Sequence, residues 1–497
     1  MALYEMRKFV APEFIFGVGA RKRVAYYARN MMARRVFLVS DPGVIAAGWM
    51  QDVRDELTEA GIDSVLFKDV SPNPRDYEVM AGAALFARER CDVIVAVGGG
   101  SAIDCAKAIG IVHANGCDVR EMEGADQVEM PGPPLICIPT TAGTAADISQ
   151  FCIIVNSPDR YKMAIVSKTV VPDVALVDPE CTLTMDPYLT ACTGVDALTH
   201  AIEAFVSTAS SPVVDVHALA AIKLVWNNLE QAVAAPHDLA ARENMLLASL
   251  QAGLAFSNAS LGAVHALTHP LGAIRELNLH HGTLNAVFLP AVIRFNAGAE
   301  SIQKEERLAR MAQAMGLDSG TDVAQAVHDM TARLGLPTGL RALEDDSREG
   351  ADQEDEGNRT IGYLHEERLE GLLTDDVSEP VTFLERRAFA SEYFGAIAPE
   401  PLLHLGRVGI TCRADRDGDR LDTLAGRRAS GAARRVAVAG GARRSGGLAA
   451  GELAEVQRLS AFGREAGKRR RGTLRCGGIL VENVVARRGG RDGQANS

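Results

Sequence analysis

Asp92-Val93-Ile94-Val95-Ala96-Val97-Gly98-Gly99-Gly100-Ser101-Ala102-Ile103-Asp104-Cys105-Ala106-Lys107-Ala108 passes from an apolar run through three glycines into a helical pattern. A continuous apolar strand of this kind fits the interior of a parallel sheet that is covered on both faces. The glycines let a ligand come close to the backbone, and the helix that follows offers free N–H groups and its positive end. Gly98, Gly99, Gly100 and Ser101 therefore read as a cradle for the pyrophosphate of a dinucleotide or as a tight structural turn. The run is not the G-x-G-x-x-G fingerprint, and it follows several elements instead of closing the first strand.

Working outward, Arg35-Val36-Phe37-Leu38-Val39-Ser40-Asp41 is a strand candidate followed by a helical pattern through Trp49, Val53 and Leu57. Ser64-Val65-Leu66-Phe67 and Leu135-Ile136-Cys137-Ile138 are further strands. Strands alternating with helices predict an α/β, Rossmann-like parallel-sheet domain over residues 1–185. Asp41, at a strand end, suits a ribose hydroxyl, and its charge disfavours an added 2′-phosphate, so NAD is expected over NADP. The same residue also reads as a helix cap ahead of Pro42. Thr140, Thr141 and Thr144, just past the 135–138 strand, place small hydroxyls at a crevice edge, for cofactor contact or for turn capping.

From about Pro187 the pattern changes to Ala/Leu-rich stretches of helical length at 188–206, 212–235 and 238–257, which predict an all-helical domain over 186–343. Asp196 and His200 lie four residues apart and so share a helix face, and His265 and His269 repeat that spacing. His280-His281-Gly282 follows. A carboxylate with several imidazoles suits Fe²⁺ or Zn²⁺ better than an oxygen-rich Mg²⁺ or Ca²⁺ site. Either pair alone reads first as a hydrogen-bonded helix face; together, beside a dinucleotide cradle, they point to a metal.

The chain of 497 residues is too long for one small core, and its 47% hydrophobic content is that of a globular protein. Residues 401–497 hold 20 Lys+Arg against 9 Asp+Glu, so the net −12 of the chain becomes −23 over residues 1–400. That acidic body gives no electrostatic reason to bind nucleic acid. The basic tail has a single aromatic, Phe462, and lacks the interleaved stacking side chains of a nucleic-acid platform. The start, Met1-Ala2-Leu3-Tyr4-Glu5-Met6-Arg7-Lys8, leads into no apolar export segment, and no apolar run reaches the roughly 18 residues of a membrane span. A cytoplasmic protein is expected. Nine cysteines without a repeated CxxC spacing read as reduced. Residues 344–400 begin with eight acids in 344–356 and read as an acidic linker and an unassigned segment. Residues 401–497, with 19 arginines and 18 glycines, read as a disordered Arg/Gly-rich tail.

Over about residues 10–343 the chain resembles the iron-containing alcohol dehydrogenase family. The resemblance rests on FIFG at 14–17, SPNP at 71–74, GGGSAIDCAK at 98–107, PTTAGT at 139–144 and LTACTGVDALTHAIEAF at 189–205. It continues through GAVHALTHPLG at 262–272, HHG at 280–282 and the less specific LGLPTGLRAL at 334–343. It implies a dehydroquinate synthase-like architecture and reversible hydride transfer between a small alcohol and NAD, giving an aldehyde or ketone. The implied metal is Fe²⁺, with Zn²⁺ or another divalent ion as the alternative, and the implied assembly is a homodimer or larger homo-oligomer.

Carried over residue by residue, the resemblance makes Asp196, His200, His265 and His281 the metal ligands and places His269 beside the nicotinamide and the reacting carbon as the catalytic residue. Gly98, Gly99, Gly100 and Ser101 would surround the pyrophosphate and Asp41 the adenosine ribose. Asn73, Asp104, Thr140, Thr141, Thr144 and Lys162 would line the rest of the cofactor's path; Lys162 otherwise reads as a solvated turn residue.

Three departures stand out. Ala145-Ala146-Asp147 replaces the family's Gly-Ser-Glu. The step from His269 to His281 is two residues longer than usual, so either the loop bulges or His280 competes for the ligand role; His281, directly before Gly282, is the expected ligand. The resemblance ends near residue 343, where relatives continue through several helices with an Asn-Pro-Arg element, so 344–497 reads as an appended region or a shifted reading frame. The alternative functions are a catalytically impaired metal/nucleotide-binding or regulatory protein, and a dehydrogenase of a polyol or phosphonate-linked alcohol.

Overall fold

In the computed structural model every residue of the strand Val93–Gly98 is buried, because it lies inside a six-stranded sheet. The structure describes residues 6–272, 279–339 and 342–343. The strands are β1 (Glu13–Phe16), β2 (Arg35–Val39), β3 (Asp63–Phe67), β4 (Val93–Gly98), β5 (Gly124–Ala125), β6 (Leu135–Pro139), β7 (Phe151–Asn156), β8 (Tyr161–Val166) and β9 (Val174–Val177). The large sheet runs β1-β9-β6-β4-β2-β3, and all its pairings are parallel. Phe37 pairs with Ile94 and Val95 with Ile136. Successive residues feed opposite faces: Phe37 and Val39 enter one apolar cluster, Val36 and Leu38 another. That is why these strands read as unbroken apolar runs.

Helices α1 (Val24–Asn30), α2 (Pro42–Ala46), α3 (Trp49–Glu59), α4 (Asp76–Glu89) and α5 (Gly100–Asn115) connect the strands. A second, small sheet of order β5-β8-β7 contains the antiparallel pair β7 and β8, with Val155 opposite Lys162. Lys162 thus sits on a strand and not in a solvated turn.

The chain then turns helical: α6 (Pro187–Val206), α7 (Pro212–Ala234), α8 (Leu239–Ala259), α9 (Ala263–Gly272), α10 (His281–Asn296), α11 (Glu300–Lys304), α12 (Arg307–Ala314) and α13 (Val323–Arg333). Asp186, Ser211 and Asp238 cap α6, α7 and α8 with their side chains, and proline occupies the first turn of α6 and α7. Helix α6 is buried from Thr190 to Phe205 among α7, α8 and α10. Helix α10 approaches it at Gly282, where a Cβ would stand 2.3 Å from the Cys192 carbonyl oxygen, so only glycine fits. The architecture is the expected parallel α/β sheet followed by helices. No helix among the described residues is long and apolar enough to cross a membrane. The acidic linker and the Arg/Gly-rich tail read from the sequence lie outside the described residues.

Candidate metal centre and nucleotide cleft

Helix α6 brings Asp196 and His200 to one buried face, one turn apart, with His200 Nε2 3.5 Å from Asp196 Oδ1. His265, from α9, places its Nε2 3.7 Å from the same oxygen. His281, the first residue of α10, places its Nε2 at 3.7 Å as well. Three imidazoles from three helices therefore converge on one carboxylate oxygen. The His200 and His265 rings are stacked, with centroids 4.7 Å apart, and Phe256 stacks on the other side of His200 at 4.3 Å.

His269, one turn beyond His265, has its ring 5.1 Å from that of His281. Its ligand atom falls within 4.8 Å of those of His265 and His281, so two overlapping triads share His265. His280 is used differently: its Nδ1 accepts the backbone N–H of Gly282 and caps α10. It is His281 that reaches Asp196.

The charges are set by burial and by one another. Burial alone would raise Asp196, but His200 and His265 outweigh it and hold the carboxyl below its ordinary value. Burial pulls His200 down to about 4. His269 and His281 are also driven well below the imidazole range, by burial and then by neighbouring cations. His265 goes the other way, up to about 9: burial opposes its charge, but Glu203 and Asp196 on either side prevail. The result is an anion among mostly neutral imidazoles. Of the three Nε2 atoms that converge on Asp196, that of His265 is buried with no hydrogen-bond partner; in His200 and His281 the nitrogen left so is Nδ1, across the ring. A buried polar atom is rarely left so, and His265 Nε2 beside the Asp196 carboxylate and two further imidazole nitrogens fits a divalent transition-metal ion.

Two residues missed in the sequence complete the cluster. Asn285 donates its side-chain amide to Asp196 Oδ1 at 2.7 Å. Glu203 accepts the Val264 backbone N–H at 2.6 Å and lies 2.6 Å from His265 Nδ1. Helical spacing was the available signal: Glu203 follows Asp196 by seven residues, and Asn285 follows His281 by four.

A cleft of ≈ 1200 Å³ runs from this cluster to the carboxyl ends of the sheet strands. Asp41, Asn73, Gly99, Gly100, Ser101, Asp104, Thr140, Thr141, Thr144 and Lys162 line it together with the histidines. Gly98 is the exception among the expected contacts; it is buried at the end of β4, where its carbonyl accepts the Thr140 N–H. Helix α5 starts at Gly100 with no side chain capping it, so its first N–H groups are open for an anion. A Cβ at Gly100 would come 2.8 Å from the Thr144 side chain, and one at Gly99 3.1 Å from Thr141, so the loop and the threonine segment meet closely.

Asp41 caps α2 by accepting the Val44 N–H, and the Asn73 N–H donates to Ser101 Oγ. Asp104 accepts the Ile153 N–H through one oxygen while its other is buried without a partner; burial raises the group to about 6. Burial lowers Lys162 to about 8, partly offset by Asp196 and Asp104. In the departing Ala145-Ala146-Asp147 segment, Ala145 is left-handed at φ 47° and packs against Gly253, while Asp147 is buried.

Residues 11–179 match the model for the family described as iron-containing alcohol dehydrogenase, and residues 190–354 match the C-terminal model of the Fe-containing alcohol dehydrogenase family. The chain is 40% identical over 351 residues to a 1,3-propanediol dehydrogenase of Citrobacter freundii, covering 68% of this chain and 89% of that protein. Among solved structures, a 1,3-propanediol oxidoreductase superposes with a TM-score of 0.65 at 37% identity, over 73% of this chain and 100% of the other. A sulfoacetaldehyde reductase from Bifidobacterium kashiwanohense, solved in complex with NAD+, gives a TM-score of 0.62 at 32% identity, over 69% of this chain and 93% of the other.

Proposed function

We propose, for a chain that belongs to the iron-containing alcohol dehydrogenase family, that Asp196, His200, His265 and His281 hold the metal and that the cleft from Asp41 to Lys162 holds the nicotinamide cofactor. The protein is a metal-dependent alcohol dehydrogenase that interconverts an alcohol and an aldehyde or ketone, with NAD and iron as its cofactors. When bound, iron supplies the positive charge that lowers the proton affinity of the substrate hydroxyl, and NAD carries the hydride. The observation that carries the ligand assignment is the convergence of three imidazole nitrogens within 3.7 Å of Asp196 Oδ1.

In this reading the α/β part, residues 1–185, supplies the cofactor's wall and the helices of 186–343 supply the metal's. The first turn of α5 receives the pyrophosphate, with Gly98 shaping the turn from below and Gly99, Gly100 and Ser101 meeting the ligand. Asp41 accepts a ribose hydroxyl and repels an added 2′-phosphate. Asn73, Asp104, Thr140, Thr141, Thr144 and Lys162 fix the remainder of the cofactor along the cleft. His269, whose ring lies beside those of His265 and His281, relays the proton that the substrate hydroxyl loses or positions the substrate. Phe151, Phe256 and Leu261 keep water from the reacting carbon on the remaining side, which suits a short apolar alcohol.

The seven free cysteines among the described residues support a reducing, cytoplasmic setting. Strand β1, at the edge of the large sheet with Phe14 exposed, supports assembly into a homodimer or larger homo-oligomer.

The test is to strip the protein with a chelator, restore Fe²⁺ or Zn²⁺, and follow nicotinamide absorbance across short alcohols and aldehydes. Metal-dependent turnover is expected. Binding of NAD and metal with no turnover on any substrate would instead identify a catalytically impaired member. Replacing His200 or His265 with Ala should abolish most metal occupancy; unchanged occupancy refutes the ligand assignment.

A further inference from the structure

Helix α6 carries a third acidic or imidazole side chain on the face of Asp196 and His200. Glu203 follows His200 by three residues and is 2% exposed. Both of its oxygens are spent on one turn of α9: Oε1 accepts the Val264 N–H, and Oε2 meets His265 Nδ1, each at 2.6 Å. Among the described residues no lysine or arginine pairs with it. Gly262 makes room for this contact, since a Cβ there would stand 3.0 Å from Glu203 Oε1.

A buried carboxylate is costly unless its environment donates to it, so an unprotonated Glu203 requires the proton of His265 on Nδ1. In the neutral ring that binds a metal, Nε2 is then the nitrogen with the free lone pair. That is the atom found 3.7 Å from Asp196 Oδ1, buried and without a hydrogen-bond partner. We propose that Glu203 is a positioning residue which, by accepting the His265 Nδ1 proton, fixes the ring orientation and tautomer that present Nε2 to the metal. The inference rests on the metal reading of the cluster. The bond also makes the ring a more basic donor, the usual effect of a carboxylate behind a metal-binding histidine.

Glu203→Gln separates this role from simple capping of α9. An amide has one acceptor and one donor end. With its oxygen on the Val264 N–H, its NH₂ group faces Nδ1 and drives the ring proton to Nε2, into the metal's position. Glu203→Asp keeps the carboxylate and shortens the reach.

The experiment compares Zn²⁺ affinity, by chelator competition on the full chain, for the parent, Glu203→Gln, Glu203→Asp and His265→Ala. Thermal unfolding of the metal-stripped proteins is recorded in parallel. The expected result is a loss of about 10- to 100-fold in Zn²⁺ affinity for Glu203→Gln, with partial recovery in Glu203→Asp and little change in metal-free stability. Parent-like affinity in Glu203→Gln with a lowered metal-free melting temperature would assign Glu203 to capping alone and overturn the proposal. If His265→Ala also binds Zn²⁺ like the parent, the metal reading itself falls; if it loses Zn²⁺ while Glu203→Gln does not, only the positioning role falls.

Discussion

Asn285 Nδ2 donates to Asp196 Oδ1 at 2.7 Å, and both side chains are buried. The amide therefore holds the same carboxylate oxygen on which the three imidazoles converge. Asn285→Ala leaves Asp196 without this donor and opens a small cavity. The expected cost is about 1–3 kcal/mol in unfolding free energy, with about a tenfold or greater loss of metal affinity. Denaturant unfolding of the stripped protein and chelator competition measure the two separately; parent-like values in both would show that the bond is dispensable.

Gly282→Ala tests the contact between α10 and α6. The added Cβ would meet backbone atoms of Cys192, its carbonyl oxygen at 2.3 Å, and a backbone cannot rotate out of the way. Helix α10 must shift, taking His281 with it. We expect a loss of about 1–3 kcal/mol in stability and weakened metal binding, read by thermal unfolding with and without Zn²⁺. An alanine variant with an unchanged Zn²⁺-induced rise in melting temperature would show that His281 is not held by this packing.

Asp147 gives a pH signature. Burial raises its carboxyl from 3.8 to about 6, so between these values the folded protein holds a proton that the unfolded chain has lost. Stability from this group therefore falls as pH rises from about 4 to 6, and the full penalty persists above 6. Asp147→Asn removes it. The variant should be more stable by up to ~3 kcal/mol at pH 7.5, the gain vanishing toward pH 4. Lys107, close by, keeps its bonds to the Ser149 and Phe151 carbonyls. Urea melts across this range check the prediction, and parallel pH profiles for parent and variant would contradict it.

Asp41→Gly separates cofactor choice from capping. Glycine is a tolerable helix cap, so only a few tenths of a kcal/mol of stability should be lost. Without the carboxylate the repulsion of a 2′-phosphate disappears, and the ratio of kcat/KM for NADP over NAD should rise by about tenfold or more. An unchanged ratio would remove Asp41 from the ribose site.

The large sheet is legible in the sequence where a strand is buried on both faces: β2, β4 and β6 each appear as short apolar runs, and the partly buried edge strand β3 still carries Val65-Leu66-Phe67. The ends of α6, α7 and α8 were legible within two residues, because Asp or Ser caps and first-turn prolines mark them chemically. The hairpin β7–β8 has no clear signature in the sequence, where Lys162 reads both as a turn residue and as a cleft residue, because a strand in a three-stranded sheet carries too little pattern. Of the metal cluster, the histidines and Asp196 stand out by residue type. Glu203 and Asn285 do not, since glutamate and asparagine are common on helices and only the fold reveals that they face inward. The choice between His280 and His281 likewise needed three dimensions: adjacent residues point in different directions at a helix start, one capping it and the other entering the cluster.

The apolar wall beside the cluster comes from β7 and α8, through Phe151 and Phe256, whereas Asp196, His200, His265 and His281 come from α6, α9 and α10. The wall and the proposed metal ligands are thus carried on different stretches of the chain. Under the proposed ligand assignment, a substitution at Phe151 can retune which molecule is accepted while the four side chains stay in place, whereas Phe256, stacked on His200, ties the diet of this scaffold to its reaction.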